Sequence, residues 1–123
     1  MWTYTQKTGW LSKEGKNVYH GYSGAGEGKN QPQMENVHNV GPIPVGKYAI
    51  GIPVNTQSHG PYVLPLTPDA HNVMFGRSGF LIHGDSIKAP GTASQGCIIM
   101  PRNAREMIHQ SGDNDLEVVS GVD

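Results

Sequence analysis

The chain has 123 residues, 36% of them hydrophobic, with 17 glycines, nine prolines and a formal net charge of −1. That length makes one domain over 1–123 the expectation, with a modest core and no space for a separate cofactor domain. No basic stripe of a nucleic-acid reader, no apolar run long enough for a membrane span and no second cysteine for a disulfide or Cys-only zinc site is present.

Taken in order, Trp2–Thr5 and Trp10–Ser12 read as two short strands around a Lys7-Thr8-Gly9 turn, and Val18–Tyr22 as a third. Ser23–Gln33 is Gly-rich and superficially like a phosphate-binding loop. Ser23 stands where that pattern needs its first Gly, and Asn30 where it needs Ser or Thr after the lysine. A flexible loop lining a cleft is expected there instead. Pro42 and Pro44 extend their neighbours, Gly46 turns the chain, and Lys47–Ile50 alternates as a half-buried strand does. Tyr62–Leu66 is a strand that Pro65 assigns to an edge or a bulge. Val73–Phe75 and Phe80–Ile82 are expected to pair around Gly76–Gly79, the second being apolar throughout and so buried on both faces. One helix is predicted, starting at Pro101 and continuing over Arg102–Gln110, with Ala104, Met107 and Ile108 on its buried face and Gly112 as its stop. Asp115–Val119 closes the chain as a strand. The fold class expected is mainly β, a single-domain sandwich or barrel with one short helix after Cys97.

Chemistry concentrates between Phe80 and Met100. An apolar strand delivers His83 into a turn-rich connection, and Ser94-Gln95-Gly96 leads back to Cys97 before a second apolar run. An imidazole that takes the thiol proton makes a nucleophile for acyl transfer, and the tetrahedral intermediate then needs converging backbone N–H donors. Gly96 permits a sharp turn before the cysteine, so the N–H pair of Gly96 and Cys97 is the natural choice for an oxyanion site. Asp85 and Ser86 flank the base, where they orient it, contact substrate or serve as solvated turn residues.

This stretch resembles the catalytic signature of L,D-transpeptidases of the YkuD type, in which a strand ending His-Gly is followed by Ser/Thr-His-Gly-Cys and an apolar residue. Gly41-Pro42-Ile43-Pro44-Val45-Gly46-Lys47-Tyr48 resembles that family's Thr-Pro-x-Gly-x-Phe/Tyr block, and Gly21–Asn30 is similar to a small branch of type VI secretion antibacterial effectors. The resemblance implies Cys97 as nucleophile, His83 as base and the Gly84 carbonyl as the group that orients the histidine. It implies Gly96 and Gln95 at the oxyanion, and Ser94, Asp85, Ser86, Arg102 and Tyr22 along the substrate. It implies neither cofactor nor metal. Peptidoglycan stem peptides are the implied substrate, and a cognate immunity protein and a secretion apparatus the implied partners. Met1-Trp2-Thr3-Tyr4 shows no signal peptide. The expectation is therefore synthesis in the bacterial cytoplasm, secretion, and action in a target cell's periplasm.

Two departures bear on activity. Gln95 stands where the family has a second histidine, and Ile99 where an arginine follows Cys-Ile. With the short interval from His83 to Cys97, they favour trimming a tetrapeptide stem by L,D-carboxypeptidase action, or exchanging its terminal D-Ala for another D-amino acid, over cross-linking. Three alternatives stay open at the level of sequence. His109 could serve as base, a zinc site could join His83 and Asp85 to His59, His71 or His20, or a non-catalytic domain could bind cell wall through its Trp and Tyr residues.

Overall fold

Alternating burial organises the computed structural model, which describes residues 1–122. In β1 (Trp2–Thr5), Trp2 and Tyr4 point inward. In β10 (Asp115–Val119) Leu116 and Val118 do so, and in β5 (Gly46–Ile50) Tyr48 and Ile50. The register places Trp2 beside Leu116 and Leu116 beside Tyr48, so one apolar row crosses three strands. Paired residues share a face, and burying that row in register fixes the strand order.

The remaining strands extend this sheet both ways. On one side lie β2 (Trp10–Lys13) and β3 (Lys16–His20), the hairpins expected near the start. On the other lie β7 (Gly60–Pro68), β8 (Leu81–His83), β9 (Ile98–Ile99) and β4 (Tyr22–Ser23). The order is β3-β2-β1-β10-β5-β7-β8-β9-β4, with β6 (Val54–Thr56) pairing β7 beside β5. The result is mainly β, a mixed open sheet in a single small domain with one helix, α1 (Arg102–Gln110), packed on β7.

Several sequence expectations need correction. Val73–Phe75 forms no strand: Phe75 takes a left-handed backbone (φ 59°), and β8 pairs with β7 and β9 instead. β7 is an interior strand, not an edge. Pro65 is tolerated there because β5 ends at Ile50 and β6 begins at Val54, leaving a gap opposite its missing N–H. Tyr22 belongs to β4, separate from β3. On α1, Ala104 and Ile108 are buried as expected, but Met107 is exposed and Arg105 takes the third inward place. Pro101 precedes the helix as its N-cap. No helix is long and apolar enough to cross a membrane among the described residues.

Candidate active site

A second row, Leu64–Ile82–Ile98, is fully buried across β7, β8 and β9. Side chains alternate along a strand, so anchoring Ile82 in the core sends His83 to the opposite face. Parallel pairing sets His83 beside Ile99, and Cys97 is two residues before Ile99. Cys97 therefore lies on the face of His83, one diagonal step away. Both line a cleft of about 890 Å³ with Asp85, Ser86, Gln95 and His59.

Parallel neighbours need a crossover of a dozen or more residues, and Gly84–Cys97 supplies it without a helix. Asp85 ties that loop together: its carboxylate accepts from the Ser86 and Gly91 N–H groups and from the Tyr22 hydroxyl at 2.6 Å. The Tyr22 hydroxyl also accepts the Ala93 N–H, and the Lys29 ammonium lies over its ring. Partial burial would raise the Asp85 carboxyl, but the Tyr22, Gly91 and Ser86 bonds and Lys29 together hold it below the usual carboxylate range. Burial and Asp85 push Tyr22 up to about 12, which keeps it a neutral donor.

The turn into Cys97 rests on two buried serines. The Ser94 hydroxyl donates to the Cys97 carbonyl at 2.6 Å and accepts the Gly24 and Gly96 N–H groups. Ser23 donates to the Gly96 carbonyl and accepts the Ile43 N–H. Beneath them lies Arg77, 7% exposed, whose guanidinium donates to the carbonyls of Glu35, Pro42, Gly41 and Gln95. A Cβ on Gly96 would come within 2.4 Å of Arg77 Nη2, and its φ of 135° disfavours any side chain.

This geometry revises the expected donors. The Gly96 N–H is taken by Ser94 and is not available to an oxyanion. The Gly96 carbonyl points to buried Ser23, so the N–H of Cys97, on the opposite edge of the same trans peptide, points away from it. The Cys97 and Gln95 N–H groups meet no protein acceptor among the described residues. Ser94, 1% exposed, supports the turn rather than lining the cleft. Tyr22 likewise holds the loop. The 23–33 segment backs the cysteine turn through Ser23 and Gly24, where a cleft wall was expected. Arg102 is outside the main cleft, in a neighbouring depression.

His83 is 3% exposed, and its Nδ1–H donates to the Gly84 carbonyl at 2.8 Å. A carbonyl only accepts, so the neutral ring keeps its lone pair on Nε2. Burial pulls the imidazole below its ordinary value; His59 and Arg105 add to this, while the Gly84 carbonyl and Asp85 oppose it. Burial pushes the Cys97 thiol up, against the Leu81 N–H and Arg77, which favour the thiolate. Both shifts favour a neutral thiol and a neutral imidazole at rest, with a proton transfer at the moment of attack.

His59 packs tilted against His83, ring centroids 4.6 Å apart, and borders both depressions. Sequence reading offered it only as a metal ligand. Among the described residues no three His, Cys, Asp or Glu side chains cluster to hold a metal. His20 packs on Trp10, His71 pairs with Asp69, and His109 lies edge-on to Tyr62, apart from the cleft. Ile99, at the position of the family arginine, is buried on the strand between β8 and β4. Arg77 and Arg105 carried no sequence signal, being single polar residues in a turn and on a helix; Ser23 lay inside the Gly21–Asn30 block, where nothing marked its role.

The family model of the Tlde1 domain matches residues 17–121. No curated protein matches the chain.

Proposed function

The chain belongs to the Tlde1 domain family, a type VI secretion effector domain, and on that premise we propose that it is a cysteine acyl-transfer toxin acting on peptidoglycan stem peptides. The observation that carries the reading is the His83 tautomer: Nδ1 is occupied by Gly84, and Nε2 is left for the cleft that Cys97 shares.

In the proposed reaction, Cys97 Sγ attacks the carbonyl of the L,D-bond before a terminal D-Ala while its proton passes to His83 Nε2. The Cys97 N–H, with that of Gln95, stabilises the oxyanion. As the C–N bond breaks, His83 returns the proton to the departing amine, leaving an acyl thioester on Cys97. Water releases a tripeptide, or a D-amino acid takes the acyl group. Either product is a stem that no longer serves as a cross-linking donor, which suits an antibacterial effector with a cognate immunity protein, secreted to act in a target periplasm.

Peptidoglycan digested with the protein and read by mass spectrometry is expected to show tetrapeptide stems becoming tripeptides or exchanged tetrapeptides. Cys97→Ala and His83→Ala should each abolish this. An unchanged digest with the folded protein, or full activity in Cys97→Ala, would overturn the reading.

A further inference from the structure

A depression of about 380 Å³ opens beside the cleft, floored by Arg105 and Arg102 and joined to it through His59, Gly84 and Asp85. Arg105 is 7% exposed and forms no ion pair among the described residues. Its Nη1 donates to the Pro61 and Tyr62 carbonyls, but buried Nε has no acceptor among the described residues. Nη2 faces Gly84, 2.9 Å from where a Cβ would stand. Burial lowers the Arg105 guanidinium, and Arg102 lowers it further, while Glu106 only partly opposes them. Arg102 lies over the Tyr62 ring and touches exposed Glu106 at 3.3 Å. The one carboxylate bordering the depression among the described residues, Asp85, is already bound by Tyr22, Ser86 and Gly91. Nε is closed off, so the donor this guanidinium offers the depression is Nη2, which makes no protein hydrogen bond among the described residues; a charged donor without an acceptor is completed by an anion.

We infer that this depression, next to the carbonyl that orients His83, binds the α-carboxylate of the residue leaving the stem peptide and, in exchange, of the free amino acid replacing it. The inference rests on the acyl-transfer reading above. Incoming and departing amines pass through the same transition state in opposite directions, so one subsite serves both. In exchange, the bound amine attacks the Cys97 thioester: the C–N bond forms, the C–S bond breaks, the amine proton goes to His83 Nε2 and then to the released sulfur. A subsite that reads a free carboxylate makes the enzyme act at stem-peptide ends, not within longer peptides.

The test compares a tetrapeptide stem ending in D-Ala with its C-terminal carboxamide, and D-methionine with D-methioninamide as acceptor. The wild-type protein should prefer the free acid by roughly 10- to 100-fold, the factor a charge-assisted hydrogen bond supplies. Arg102→Glu, on an exposed side chain, should erase or reverse that preference while the amide is still cleaved. Arg105→Met should erase it too, with folding checked by thermal melting. Preference in the cleavage arm assigns the departing residue, and in the exchange arm the incoming amino acid; either supports the subsite. Equal use of acid and amide by wild type, or an unchanged preference in Arg102→Glu, overturns the subsite and leaves the proposed activity standing. No turnover of either stem by the folded wild type overturns both.

Discussion

Arg77 and Arg105 are equally buried, each beside one half of the proposed catalytic pair, yet they are built differently. Arg77 meets four backbone carbonyls, from segments far apart in sequence, and clamps Gly41–Pro42 to the turn before Cys97. Arg105 meets two carbonyls, both from the start of β7, and its Nη2 faces Gly84 without a protein acceptor among the described residues. A satisfied buried cation is scaffold, whereas one left short of acceptors is poised for a ligand.

Stability measurements should separate the two most sharply. Arg77→Met strands four carbonyls and should cost at least about 3 kcal/mol in urea unfolding, while Arg105→Met should cost about 1–2 kcal/mol. Equal losses would break the comparison. Ser23→Ala comes next. It removes the hydroxyl joining the Gly96 carbonyl to the Ile43 N–H, for about 1–2 kcal/mol. It should also slow Cys97 acylation by loosening the N–H that is proposed to hold the oxyanion.

The smallest effect is in the pH profile. In the proposed reaction the working form of His83 is neutral, and its lowered value keeps it so as pH falls, so the acid limb of acylation should lie below about pH 6.5. The same shift has a stability consequence. The unfolded chain takes up the proton first, so acidification through about pH 6.5 favours unfolding, and the contribution disappears above it. His59→Phe keeps a ring against His83 but removes one of the neighbours that lower it, and should move the acid limb upward, as should Arg105→Met. Burial is the larger cause, so the movement should be modest. A limb that does not move in either variant would show that these neighbours exert no field on His83. Iodoacetamide labelling of Cys97, whose thiol is pushed up, should keep rising past about pH 8.5.

Local patterns carried the strands that stand on a simple period. Trp2–Thr5, Lys47–Ile50 and Asp115–Val119 were legible because alternating burial is written residue by residue. The helix was legible for the same kind of reason, although Arg105 in place of Met107 on its inward side was not. Val73–Phe75 misled because three apolar residues look like a strand, and only the left-handed turn at Phe75 shows otherwise.

The sequence alone determined a mainly β chain with one helix after Cys97, and it brought forward one thiol and one strand-end imidazole within a recognisable motif. Tertiary structure decided what surrounds them. It occupied the Gly96 N–H, set Arg77 beneath the turn, packed His59 against His83 and left Arg105 facing Gly84. Periodicity and motif are properties of neighbouring residues, so they survive in the one-dimensional record. Whether a nearby hydroxyl turns onto a donor, as Ser94 does onto the Gly96 N–H, or a buried charge is matched by groups tens of residues away, depends on how the folded chain places them.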